Sequence, residues 1–113
     1  MKKGFLFLLL FLFSNAVISQ DNFVSTWELT SSDLTFQLPL ENYTNITIDW
    51  GDSSTSTHTG GAFPTHTYSL SGTKTITVAV NDAAKDIGKI YVKNHVSRTL
   101  LRTIEQWGEG KWE

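Results

Sequence analysis

The chain has 113 residues, with 9 basic against 11 acidic side chains, three histidines and no cysteine. A formal net charge of −2 leaves no electrostatic footprint for nucleic acid, which removes that class of partner. The missing thiols exclude disulfide staples, thiol catalysis and thiolate metal sites, so stability has to come from packing alone.

Met1, Lys2 and Lys3 precede an apolar run over residues 4–13, followed by the small and polar stretch Ser14, Asn15, Ala16, Val17, Ile18, Ser19. A short positive start, about ten apolar residues and small side chains near a scissile bond read as a secretory signal peptide. Cleavage is expected after Ser19, with Val17 and Ser19 meeting the small-residue rule about as well as Asn15 or Ala16. The competing reading is an uncleaved anchor, but the run falls short of the roughly 20 residues a membrane helix needs. Residues 20–113 then make one modest domain, which rules out two independent cores.

Phe23 and Trp27 are expected core residues. Over residues 33–40, Leu34, Phe36, Leu38 and Leu40 alternate with Asp33, Thr35, Gln37 and Pro39, the period of a half-buried strand that is edge-placed or ends at Pro39. Period two returns with Ile46, Ile48 and Trp50 against Thr47, Asp49 and Gly51, with Trp50 pointing inward. Residues 51–64, rich in Gly, Ser and Thr, predict a hairpin turn or surface loop containing at most a short strand. After the turn residues Ser71 and Gly72, Ile76, Val78 and Val80 alternate with Thr75, Thr77 and Ala79 and predict another strand. Tyr68 and Ile90 complete the expected core, and threonines at outward positions suit a pleated, solvated face.

Beyond Asn81 the pattern weakens. Residues 81–88 read as loop and 89–93 as one more strand. Leu100, Leu101, Ile104 and Trp107 fit either a helix face or a strand centred on Ile104 whose pairing partner lies outside this chain, since periodicity does not type so short an apolar run. Short strands about ten residues apart with turn signals between them predict an all-β, antiparallel sandwich. The division is residues 1–19 signal peptide, 20–95 sandwich and 96–113 a C-terminal extension.

Within ITIDWGDSSTSTHTGGAFPTHTYSLSGTKTITVAV, residues 46–80, the Trp50-Gly51-Asp52 turn, the His66-x-Tyr68 pair and Gly72 resemble the polycystic-kidney-disease (PKD) type domain, an immunoglobulin-like β-sandwich. Trp50 would plug the core and Gly51 would permit a sharp exit from the strand. Asp52 would accept backbone N–H groups two or three residues on, closing the loop, and Gly72 would turn the chain into the next strand. Two positions depart from the PKD pattern. Ser53 stands where that family has glycine, which bears on the tightness of the turn, and Lys74 stands where it has an aromatic.

A longer resemblance joins FVSTWELT, the WGDS and THTYS pieces and LLRTIEQWGEGKW to the N-terminal region of BspA-like bacterial surface proteins of the leucine-rich-repeat type. It implies a secreted or cell-surface, non-enzymatic module, the structural leader of an adhesion or protein-interaction protein, with repeats following residues 100–112. Its partner would be a protein or glycan at the cell surface, without cofactor and without a membrane span after signal cleavage. The alternative is a glycan-binding accessory module, which predicts exposed aromatics, with Trp27, Trp107 and Trp112 as the candidates.

Site chemistry elsewhere is thin. Asp49 is expected to face outward and Asp52 to serve its loop, with no dense acidic run of the kind calcium requires. His58, His66 and His95 lack zinc-ligand spacing. The serines lack a Gly-x-Ser-x-Gly elbow. Asn42-Tyr43-Thr44 and Asn45-Ile46-Thr47 match glycosylation sequons, which indicate surface loops.

Overall fold

The computed structural model describes residues 22–83 and 85–113. The expected signal peptide lies outside the described residues. The strands are β1 (Phe23–Leu29), β2 (Thr35–Gln37), β3 (Leu40–Glu41), β4 (Ile46–Asp49), β5 (Thr55–His58), β6 (Thr65–Thr67), β7 (Gly72–Val80), β8 (Asp86–Ile90), β9 (Leu101–Gln106) and β10 (Lys111–Trp112). The only helical element among the described residues is a single 3-10 turn, Arg98–Leu100. No helix among them is long and apolar enough to cross a membrane.

A five-stranded sheet runs in the order β5-β4-β7-β1-β9, with every pairing antiparallel. Opposite it lie β10-β8-β3 and β2-β6. The alternation read from sequence decides which face is covered. Ile46 and Ile48 of β4, Ile76 and Val78 of β7, and Phe23, Trp27 and Leu29 of β1 form one buried cluster with Phe36, Leu38, Leu40 and Ile87 from the smaller sheets. Each large apolar side chain so buried contributes about 1.5–3 kcal/mol against the entropy of ordering the chain. The chain is therefore all-β and antiparallel in its main sheet, as expected, with one short parallel pair, β8 with β10.

The outward positions carry threonine, and the hydroxyls meet across strands: Thr47 with Thr57 at 3.1 Å, Thr26 with Thr103 at 2.7 Å, and Thr35 with Thr67 at 3.0 Å. Such cross-strand pairs help fix register. The indole N–H of buried Trp27 is answered within its own strand by Ser25 Oγ at 2.8 Å.

Three expectations change. The strand expected over residues 33–40 is broken, because Pro39 has no N–H to continue the ladder. Leu40 N instead donates to Leu38 O at 2.8 Å, a tight three-residue turn about the proline. Beyond the proline the chain stays hydrogen-bonded to residues 61–63, which lead into β6, and gains β8 as the partner of β3. Pro39 is buried rather than outward-facing, and its carbonyl accepts Tyr91 N at 2.7 Å. The strand expected at 89–93 begins earlier, at Asp86, and ends at Ile90, which leaves Tyr91 exposed.

Residues 101–106 are strand, not helix, and their partner lies inside the chain: β9 pairs with β1, Val24 opposite Gln106 and Thr26 opposite Thr103. With β10 on β8, the expected extension over residues 96–113 is built into both layers of the sandwich, because Leu101 and Ile104 pack on the core from the sheet edge.

Gly88 shows how closely the smaller sheet is packed. Its φ is +88°, and a Cβ there would collide with the backbone of Glu41, Asn42 and Tyr43. Gly88→Ala combines left-handed strain with a clash against immovable backbone. It should cost at least about 2 kcal/mol, read from urea unfolding midpoints.

Candidate functional site

The WGD turn and the strand that follows it come together as one cluster. At the end of β4, Trp50 is 1 % exposed. Its N–H donates to Ser56 Oγ at 2.9 Å, its backbone N to Ser54 O at 3.1 Å, and its carbonyl accepts the Tyr68 hydroxyl at 2.7 Å. The His66 ring stacks on the indole with centroids 4.9 Å apart and planes 11° from parallel, and Tyr68 meets His66 edge-on at 4.7 Å. Phe36 closes the other side at 6.5 Å.

Gly51 turns the chain at φ +84°, where a Cβ would strike Thr75 O on β7. Its amide donates to Asp49 Oδ1 at 3.0 Å, so the outward-facing Asp49 also serves the turn. Asp52 accepts Ser54 N at 3.1 Å, two residues on, together with the Ser54 hydroxyl. Its second oxygen accepts His66 Nε2–H at 2.8 Å. The His66 hydrogen bond, followed by those from Ser54, lowers the Asp52 carboxyl from the ordinary 3.8 to about 2. Tyr68 moves the other way: burial, then the negative charges of Asp52 and Asp49, pushes its phenol upward and keeps it a donor to Trp50.

Trp50, Gly51, Asp52, His66 and Tyr68 thus meet around one turn. Gly72, at φ +113° and the first residue of β7, pairs with Leu29 of β1 and is not part of that cluster. Ser53, where the resemblance has glycine, does adopt a left-handed backbone at φ 74°. Lys74, in place of an aromatic, lays its ammonium over the Tyr68 ring, 5.1 Å from the centroid. Ser54 and Ser56 were not singled out in the sequence, and His58 was considered there only as a metal ligand. Ser56 Oγ bridges Trp50 to His58 Nε2 at 2.8 Å, and burial lowers the His58 pKa. The available signal was period two along β5, which puts Ser56 and His58 on the same face as Ile48.

The Asp, His and Ser of this turn do not form a relay. A catalytic histidine uses one ring nitrogen for the acid and the other for the hydroxyl, whereas here Nε2 faces both Asp52 at 2.8 Å and Ser54 Oγ at 3.3 Å. With its N–H given to the carboxylate, Nε2 does not accept the Ser54 proton, which is already committed to Asp52. The arrangement ties β6 to the β4–β5 turn. His95 lies elsewhere, edge-on to Phe63 at 4.6 Å, and no group of three metal-ligating side chains is assembled among the described residues.

Other surface features sit near the C-terminal strands. Phe23, fully buried, contacts Trp112 edge-on at 4.9 Å and Trp107 at 5.6 Å, and the two indoles meet at 5.5 Å. Trp107 is 53 % exposed, whereas Trp27 is fully buried and so is no candidate for an exposed platform. A shallow depression of about 290 Å³ is lined by Asn42, Asp86, Gly88, Lys111, Trp112 and Glu113. Its polar groups pair with one another, Asn42 with Glu113 at 2.9 Å and Lys111 with Asp86 at 4.0 Å.

Comparison of the chain with protein-family models, with curated proteins and with solved structures returns no match.

Two predictions follow from the turn geometry. A non-glycine residue held in the left-handed region carries a strain of about 1–2 kcal/mol, partly offset by the entropy glycine loses on folding. Ser53→Gly should therefore stabilise the fold by about 1 kcal/mol, seen as a raised melting temperature. For Asp52, the depressed folded pKa means that its contribution is complete above the ordinary value of 3.8 and is lost as pH falls through about 2. Asp52→Asn should flatten the fall of the urea midpoint across that window. An unchanged acid limb would remove the clamp as a source of stability.

Proposed function

We propose that this chain is a non-enzymatic, exported module with a PKD-like fold, acting as the structural leader of a bacterial surface protein used in adhesion or protein contact. The observation that carries the reading is the aromatic group Phe23, Trp107 and Trp112, held against the C-terminal strands with half of Trp107 in solvent. An indole costs free energy to leave in water and has a large face to offer a partner. This one sits in the stretch that resembles the approach to a repeat array. The WGD turn supports the PKD-like part of the reading, because Trp50 is buried, Gly51 turns the chain at φ +84° and Asp52 accepts Ser54 N, the roles expected of them in such a sandwich.

The glycan-binding alternative draws on Trp112, which lines the shallow depression beside Asn42, Asp86 and Glu113. It is the weaker of the two, because those polar groups are already engaged with each other and the outward face of the main sheet is threonine-rich.

The test is a binding screen of the chain against a panel of extracellular-matrix proteins and a glycan array, repeated with Trp107→Ala. Trp107→Ala should cost about 1–2 kcal/mol, below the roughly 3–5 kcal/mol of a fully buried tryptophan, so that the domain stays folded, and should weaken protein binding at least tenfold. Protein binding that ignores the substitution would sink the aromatic-surface reading. Tryptophan-dependent binding to glycans alone would favour the accessory module.

A further inference from the structure

Between β8 and β9 the chain crosses from the smaller sheet to the main one through residues 91–100. The crossover is a series of turns: His95 N donates to Val92 O at 3.1 Å, Arg98 N to His95 O at 3.1 Å and Leu100 N to Ser97 O at 2.9 Å. Most of its side chains are exposed, Val96 at 80 %. Val92 and Leu100 are half-buried against the core, and two polar side chains are buried: His95 is 8 % exposed and Ser97 is 3 % exposed. These two are the polar anchors of the crossover. Ser97 Oγ donates to Gln37 O at 2.6 Å, and the His95 ring packs edge-on against Phe63 at 4.6 Å.

The hydrogen bonds of His95 define its protonation state. Ser97 backbone N donates to Nδ1 at 3.0 Å. A backbone amide is only a donor, so Nδ1 presents its lone pair and the ring proton sits on Nε2. Nε2 is buried and has no hydrogen-bond partner among the described residues. The ring therefore fits its site only when neutral. A proton added at Nδ1 would set N–H against N–H at Ser97 and place a charge among Phe63 and backbone, with no acceptor for either ring nitrogen.

The neighbouring charges do little to relieve this. Loop 59–64, which supplies Phe63, and β2, which precedes the Gln37 carbonyl, carry no charged side chain. On the crossover, Lys93 and Arg98 are exposed and share the sign of an imidazolium. Of the acidic groups on facing elements, Asp33 shares a shallow depression with Val96, Ser97 and Leu100 but has no hydrogen bond to the ring, and Glu41, which bridges to Ala62 beside Phe63, is paired with Lys89 at 3.5 Å. Burial lowers the His95 pKa from its ordinary 6.5, in the same direction as the geometry.

We propose that His95 is an acid-released latch: neutral, it pins the β8–β9 crossover to the 59–64 loop, and protonated, it leaves its site and frees residues 91–100. Because the folded pKa lies below that of the open chain, the latch is fully closed above about pH 6.5 and loosens as pH falls beneath it. Opening uncovers Phe63 and Leu100 and slackens the segment that delivers β9 to β1. The function that follows is a change in surface and in C-terminal mobility on moving into a mildly acidic environment, and it stands independently of the leader-module reading.

The experiment is an NMR titration of the labelled wild-type chain from pH 8 to pH 4, following the His95 ring carbon–proton signal and the exchange of the Ser97, Arg98 and Leu100 amides. The expected result is a neutral His95 at pH 6.5, with protection of these amides, corrected for intrinsic exchange, falling up to tenfold per pH unit below it. Strands β4 and β7 should stay protected. His58→Phe should keep this dependence, separating it from the other histidine with a lowered pKa, and His95→Phe should make Arg98 and Leu100 exchange independent of pH. A His95 signal that titrates at or above 6.5 with the three amides still protected would overturn the proposal. So would equal corrected protection at pH 7.5 and pH 5 in the wild type, whether or not the His95 variant folds.

Discussion

Trp50 has to be buried with every polar group it carries answered, and much of the fold is arranged around that requirement. Five residues from four stretches of chain converge on it. Ser54 and Ser56 come from the following turn and strand, His66 and Tyr68 from the β6 region, and Phe36 from β2. An indole N–H or a carbonyl sealed from water without a partner costs about 1–3 kcal/mol, so each of these contacts is required as well as favourable. In a chain without cysteine, this convergence does the cross-linking that other small domains leave to disulfides. It ties the two layers together at the point where β4 leaves the main sheet.

The clamp beneath the indole follows from the same need. For His66 to lie flat on Trp50, its ring has to be held against rotation, and Asp52 holds it through Nε2. The carboxylate is fixed in turn by the Ser54 amide and hydroxyl. Asp52 thus organises its own loop and positions a stacking partner on another strand, which explains why an Asp, a His and a Ser can gather in one place without forming a relay.

Those parts of the fold governed by local periodicity were legible in the sequence. Ile46, Ile48, Ile76 and Val78 alternate cleanly and occupy the main sheet as read, and Phe23, Trp27 and Tyr68 are buried as expected. The turn was legible because Trp50, Gly51 and Asp52 each have a backbone reason for their place. What escaped depended on partners distant in sequence. Pro39 revealed that a ladder would be interrupted, but not that β3 would gain β8 as a partner just beyond it. Leu101 and Ile104 suit either a helix or a strand until β1 is known to be available beside them. The Ser56–His58 support under Trp50 was hidden because serine and histidine in a polar loop look solvated until the indole is placed over them.

The least legible feature, β9 on β1, also has the widest consequence. Val24 opposite Gln106 joins nearly the two ends of the described chain, so the five-stranded sheet closes only once almost all of the sequence is present. Contacts this distant are entropically costly to form before others have ordered the chain, and folds dominated by them assemble slowly. Before closure, β1 would expose on one side an edge bearing Val24, Ser25 and Trp27. Afterwards the edge passes to β9, whose Arg102 and Glu105 are charged and whose ladder with β1 is interrupted by two register shifts. Charge and irregularity at a sheet edge discourage strand addition by other chains. β9 therefore completes the core on its inner face and protects the sheet on its outer edge, so that residues beyond 96 are built into the sandwich itself.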